Sequence, residues 1–297
     1  MRKGIVAASL FLLAFVGSAQ ADEPVYAKMP AHPALWTVHG PKGTAYLFGS
    51  VHILPPNVDW HTKEIDAALA KSDTLVFELA MDDTFQQRMQ TYMKERGMLP
   101  EGQHLHDMLS PDAKKELDAE VAKLSVSPVA IDRMRPWLAD LTIEMMGVEK
   151  QNNMSAAGVD MQIQANANGR PVIGLETIEQ QMALIAPDDP KTELEAFEAD
   201  LKTSGAPSAN NEVGPLLDAW MHGRVDRLAA LTKKDLAQYP NAQKLLFDDR
   251  NAAWVKQITV LLDQPKTYFI TVGAGHLAGP HGVPALLRTQ GFKVDGP

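Results

Sequence analysis

The chain has 297 residues and no cysteine, and its 37 acidic against 28 basic side chains give a formal charge of −9. That balance argues against nucleic acid or anionic lipid as the main partner, since both select basic patches. The lack of cysteine excludes disulfides, thiolate metal sites, a cysteine nucleophile and a cysteine-linked lipid anchor.

Arg2 and Lys3, an apolar run from Gly4 to Gly17 and the small-x-small ending Ser18-Ala19-Gln20-Ala21 stand in the order of a secretory signal. The run falls short of the roughly 20 residues that span a bilayer. Charge resumes at once with Asp22 and Glu23. We therefore expect a cleavable signal peptide at 1–21 and an exported domain at 22–297 with no membrane anchor after cleavage. No later segment of the sequence reads as a membrane span.

In the mature part, Trp36–His39 and Thr44–Gly49 read as two strands joined by a turn at Gly40-Pro41-Lys42-Gly43. A helix from about Trp60 to Lys71 sets Ile65, Ala68 and Leu69 on one face. Thr74–Glu78 is a strand apolar on both faces, hence interior. Residues from about 84 to 149 are helical. The clearest helix there has Ser110 as N-cap, Pro111 as first residue and a stripe of Ala113, Leu117, Val121 and Leu124. Gly158–Ala167 then reads as a helix, Arg170–Gly174 as a strand and Thr177–Ile185 as a helix. From about Lys191 to Gln238 helical hairpins follow, broken at Ser204–Pro207, with Pro207–Asn211 as the most mobile loop. A long helix from about Asn241 to Leu262 leads into the strand Thr267–Val272, a closing helix Gly282–Gln290 and an edge strand Phe292–Val294.

Strands thus cluster at both ends of the mature chain. The expected fold class is α/β (α+β): a single domain whose N- and C-terminal strands share one mixed sheet. A large helical insertion falls at about 84–157 and helical hairpins at about 190–262.

Two strand ends look alike. Gly49-Ser50-Val51-His52 and Gly273-Ala274-Gly275-His276 each follow an apolar strand with glycine, two residues and histidine. In parallel α/β sheets ligands bind outside the carboxyl ends of strands, and a glycine permitting φ > 0 would let the chain turn there and aim an imidazole inward. The alternative is a pair of turn glycines with partly exposed histidines. Glu78 closes an apolar strand, where a carboxylate needs a cation or a functional role, unless the strand simply reaches solvent. Two histidines and a carboxylate suit a divalent cation with an open position. They equally suit a metal-free site in which one imidazole is a base and the carboxylate holds its tautomer. Glu176 sits at another strand-to-helix junction. Arg250 heads the stripe Trp254, Ile258 and Leu261, where it could neutralise Glu78 or Glu176 or hold a substrate carboxylate. Asp160 reads as an N-terminal helix charge, His104 and His106 as solvated, and His281 as a rim residue.

These residues resemble the TraB/GumN family. Tyr46-Leu47-Phe48-Gly49-Ser50-Val51-His52 with Leu54-Pro55 is similar to its opening motif, and Leu175-Glu176-Thr177-Ile178-Glu179-Gln180-Gln181 to its central segment. Arg250-Asn251 with Trp254, Val272–Leu277, Gly279 and Leu286–Gly291 is similar to its C-terminal signature. The likeness spans about residues 35–294, and more distantly extends to erythromycin esterases and ChaN-type haem-binding lipoproteins. It implies two Gly-x-x-His motifs and a glutamate at Gly49/His52, Gly273/His276 and Glu78. It also implies the protease activity of Tiki proteins, which depend on Mn²⁺ or Co²⁺, and a periplasmic or secreted location.

The leading expectation is an extracytoplasmic metal-dependent peptidase acting on secreted or envelope peptides. In it His52, Glu78 and His276 hold one divalent cation (Mn, Co or Zn) that acidifies a bound water. Glu176 is either a support behind the site's residues or a base candidate, Arg250 stabilises charge at the reacting carbonyl, and Ser50 and Asn251 contact substrate. The alternatives are a metal-free esterase-type hydrolase with His52 as base and Glu78 positioning it, and a non-enzymatic binder of haem, metal or peptide.

Overall fold

The computed structural model describes residues 28–297 except 53, 83, 153–157, 187–188, 203–212 and 238–240. The expected signal peptide, the loop at Pro207–Asn211 and the break at Ser204–Pro207 lie outside the described residues.

Among the described residues eight strands are present: β1 (Met29–Pro30), β2 (Leu35–His39), β3 (Thr44–Ser50), β4 (Val58–Asp59), β5 (Thr74–Leu79), β6 (Val172–Glu176), β7 (Thr267–Gly273) and β8 (Lys293–Asp295). Six of them form one sheet in the order β6-β5-β7-β3-β2-β8. The first four run parallel, β2 returns antiparallel to β3, and β8 runs antiparallel to β2 at the edge. The N- and C-terminal strands therefore do share a mixed sheet, as their apolar runs suggest. β5 and β7 are central because their side chains are apolar on both faces; all six residues of β5 are buried. The short parallel pair β1–β4 carries no readable pattern and was not expected from sequence.

Each face of the sheet buries alternate strand residues. One face packs Phe48, Phe77 and Phe269 against Trp60, Ile65 and Trp220. The other packs Leu47, Val76 and Ile270 against Trp254, Val255, Ile258 and Leu262 of the helix Asp249–Leu262 and Leu287 of the helix Val283–Thr289. Burying a side chain of this size contributes roughly 1.5–3 kcal/mol, so the strand ends are held from both sides.

The helical part behaves as its sequence signals direct. Ser110 caps the helix Pro111–Leu124 by accepting from the Ala113 N–H, and the expected stripe is buried. Thr177 and Gln180 form a reciprocal capping box at the helix Ile178–Ile185. Glu193, from the helix Pro190–Leu201, accepts from the Trp137 N–H at 3.0 Å and pairs with Arg135, which pins the start of the helix Pro136–Asn152.

Three element starts moved by two residues or more. The helix expected from Trp60 begins at Lys63, because Thr62 caps it. The strand expected at Arg170–Gly174 is Val172–Glu176, which makes Glu176 the last strand residue rather than a junction residue. The long helix expected from Asn241 opens with a π-helical turn, Lys244–Asp248, before regular winding resumes at Asp249.

Candidate active site

The carboxyl ends of β3, β5, β6 and β7 lie side by side, with Ser50 opposite Gly273 and Leu79 opposite Glu176. Glu78 shares the face of β5 that carries Val76, and so points toward the helix Asp249–Leu262. Its Oε1 accepts the Gly273 N–H at 2.6 Å. Its Oε2 accepts from Arg250 Nη2 at 2.7 Å and from Gln181 Nε2 at 3.4 Å. Burial alone would raise its pKa, but the Arg250 charge and the Gly273 N–H hold it at about 2. The carboxylate is buried at 6 % exposure, so the strand does not reach solvent there.

Arg250 is the hub. Nε and Nη2 grip both oxygens of Glu176 at 2.7 and 2.9 Å, and Nη1 donates to the Leu246 carbonyl at 3.2 Å and to His276 Nε2 at 3.0 Å. The π-helical turn supplies that carbonyl, and such turns recur at functional sites. Glu176 also accepts the Trp254 indole N–H at 3.0 Å. Burial works against the guanidinium charge, yet two carboxylates push its pKa upward. Arg250 thus pairs with both Glu78 and Glu176, one positive charge shared by two carboxylates. Its fork is closed on Glu176, so it does not offer a bidentate grip to a substrate carboxylate.

His276 is fixed in one tautomer by its neighbours. Asn251 Nδ2 donates to the His281 carbonyl at 2.8 Å, which leaves Oδ1 as the acceptor facing His276 Nδ1 at 2.6 Å. Nδ1 therefore carries the proton and Nε2 accepts from Arg250. Burial and the adjacent guanidinium push the His276 pKa down to about 3. The ring is wedged between Phe247 and Trp254, with centroids 4.7 and 4.4 Å away. Asn251 is 1 % exposed and holds the His276 ring through its Oδ1.

His52 is held differently. Its Nδ1 lies 2.7 Å from Asp160 Oδ2. Gly158 makes this possible: a Cβ there would overlap the His52 backbone, so only glycine lets the two chain segments meet. The Val159 N–H then donates to the Val51 carbonyl at 2.9 Å, and the helix Val159–Ala165 presents Asp160 in its first turn. Burial pulls the His52 pKa down, but the Asp160 charge and hydrogen bond and the Glu78 charge raise it overall, against Arg250.

The structure thus brings His52, Glu78, Glu176, Arg250 and His276 to one place. Ser50 is fully buried, and its hydroxyl meets no hydrogen-bond partner among the described residues. Gly49 acts by close approach, not by positive φ. Neither Gly49 nor Gly273 adopts φ > 0, and a Cβ on Gly49 would lie 2.9 Å from the Ala274 Cα. Asp160 is more than a helix charge, and Gln181 was missed. A carboxylate two residues after a glycine at a helix start was the available signal for Asp160; Gln181 gave none beyond its place in the central motif.

His104 and His106 lie on the helical part, paired with Asp132 and Asp118 and well exposed. His281 is on the rim, facing Asp248 at 3.2 Å.

The donor set is a poor match for a cation as arranged. Both Glu78 oxygens and His276 Nε2 face N–H donors, and Arg250 already supplies the positive charge between them. Among the described residues no group of three His, Asp or Glu side chains is arranged to hold a metal ion. The site as built is an ion-pair network beside a histidine–aspartate pair.

The TraB/PrgY/gumN family profile matches residues 34–296. The chain belongs to the TraB/PrgY/gumN family. It is similar to an uncharacterized protein of Treponema pallidum, 22 % identical over 86 % of this chain and 80 % of that one. It is also similar to Metalloprotease TIKI1 of Danio rerio, 22 % identical over 88 % of this chain but only 62 % of TIKI1. The YbaP protein of Escherichia coli is 22 % identical over 82 % of this chain and 87 % of YbaP. The family match covers every residue of the cluster, from His52 to His276. Among the described residues no helix is long and apolar enough to cross a membrane.

Proposed function

We propose that this family member is an exported hydrolase that cleaves amide bonds in secreted or envelope peptides, with His52 as its proton-transfer group. The observation that carries the reading is the buried His52–Asp160 pair set beside the Glu78–Arg250 ion pair. Asp160 accepts the Nδ1 proton, so titration takes place at Nε2. Deprotonated Nε2 takes a proton from water while the water oxygen bonds to the carbonyl carbon. The C–N bond then breaks and the leaving amine takes that proton from Nε2. Asp160 stabilises the imidazolium between the two transfers. Arg250 keeps Glu78 ionised and His276 neutral, and Glu78 in turn favours the charged form of His52. Peptide substrates are supported by the name of the TIKI relatives, and export by the pattern of residues 1–21.

The test is incubation of the 22–297 chain with a diverse peptide pool and mass-spectrometric detection of products. Cleavage abolished by His52→Ala is expected; a pool left intact by the wild type under all conditions would sink the peptidase reading.

The word metalloprotease in the TIKI names favours a second reading, in which His52, Glu78 and His276 hold a divalent cation of the Mn, Co or Zn kind. It requires Arg250 to leave both Glu78 and His276. Metal analysis of protein purified without added metal, beside His52→Ala and His276→Ala, separates the two. Stoichiometric metal lost in both variants establishes the cation; metal absent from all three removes it.

A further inference from the structure

A pocket opens directly beside the ion-pair cluster. His276 and Gly273 form one wall, and Val51, the neighbour of His52, joins them. The opposite wall comes from three successive helical segments: Leu216 of Val213–Met221, Leu228 and Leu236 of Val225–Leu236, and Phe247 of the π-helical turn. The cavity is small, about 50 Å³. Its lining is mainly apolar carbon, with Thr232 and Asp235 as polar members, the composition of sites that take small apolar groups.

Resting on the hydrolase reading above, we propose that this pocket takes an aliphatic side chain of the substrate next to the bond that is cut, and so sets specificity. The wall shared with His276 puts any group seated there within reach of the catalytic cluster. A lining of Leu216, Leu228, Leu236 and Phe247 gains from leucine-sized carbon and penalises an acidic group, which would be desolvated beside Asp235. Each methylene that fits such a pocket is worth roughly 10- to 200-fold in discrimination. A leucine-type residue at this position is therefore cleaved at least about tenfold better in kcat/KM than alanine, and far better than aspartate.

Two substitutions probe the pocket without touching the proton-transfer groups. Thr232→Phe fills it from a half-buried position, and Leu216→Asp places a charge in its wall. A position-scanned peptide library is cleaved by the wild type and both variants. The expected result is an aliphatic preference at one position that Thr232→Phe shifts to alanine and glycine, and that Leu216→Asp weakens by about tenfold, with small-residue peptides still cut. A wild-type preference absent at every position, or unmoved by both variants, overturns the pocket while leaving the hydrolase intact. If no peptide is cleaved, the hydrolase reading fails, and calorimetric binding of Gly-Leu-Gly-Gly against Gly-Ala-Gly-Gly decides the pocket by itself. Tighter leucine-peptide binding that Thr232→Phe abolishes supports it; equal binding of the two overturns it.

Discussion

The chain makes the same contact in two settings. His52 Nδ1 and Asp160 Oδ2 are 2.7 Å apart at the strand ends, and His104 Nδ1 and Asp132 Oδ2 are 2.7 Å apart on the helical part. The first pair is 14 % and 11 % exposed, the second 46 % and 28 %. Around His52 stand the buried Glu78 and Arg250; around His104 stand His106 and Asp118, both well exposed. Distance alone makes neither pair chemical. Burial strengthens each charge–charge interaction and removes the screening that makes exposed pairs worth little.

The largest way to break this comparison is at the imidazoles themselves. Removing a positioned general base typically costs about 10²–10⁴-fold, so His52→Ala should lose that much of kcat/KM in a peptide-cleavage assay. His104→Ala should leave the rate unchanged. Next is Arg250→Ala. It strands Glu78 and Glu176 as buried carboxylates, and breaking a buried pair destabilises by roughly 3–5 kcal/mol, measured by urea unfolding. A much smaller loss would show that the cluster tolerates its own negative charge. The smallest effect is Asp132→Asn on the helical part, at roughly 0–1 kcal/mol for an exposed pair, read from the same unfolding curves.

Acid stability sharpens the same contrast. His276 stays neutral in the folded chain down to about 3, whereas the unfolded ring protonates near its ordinary value of 6.5. The unfolded state therefore binds more protons between those values, and stability falls as pH drops below 6.5 toward 3. Glu78 acts in the same direction, its contribution present above 4.5 and lost as pH falls through about 2. Melting temperature measured from about pH 7 to 4 should decline, and His276→Gln should flatten the decline above pH 4.5, where Glu78 is still ionised in both states.

Much of the fold was legible because its signals are local. Ser110-Pro111 and Thr177 with Gln180 declare helix starts, and the apolar runs Leu75–Phe77 and Tyr268–Val272 declare interior strands. In the second run Tyr268, Ile270 and Val272 face one core and Phe269 faces the other, the alternation a two-sided strand requires. The two histidine motifs and Glu78 were legible for the same reason, each lying at the end of such a strand. What did not show was pairing across the chain. Asp160 meets a histidine 108 positions away, and Asn251 accepts from His276 Nδ1. The approach of Gly158 to the His52 backbone allows the first partnership, and the Asn251 bond to the His281 carbonyl orients the second. The residue types of the metal set suit a cation, and Arg250, readable from its stripe as a partner for Glu78 or Glu176, pairs with both.

The central claim is that Asp160 tunes His52 for proton transfer, and the pH dependence of kcat/KM tests it most directly. If deprotonated His52 is the base, activity rises with pH through its pKa, which the Asp160 and Glu78 charges hold above 6.5 against the pull of burial. Asp160→Asn removes the charge and keeps the shape, so the acidic limb should move to lower pH as the rate on its plateau falls. An acidic limb that stays in place in Asp160→Asn, with full activity on the plateau, would contradict the account.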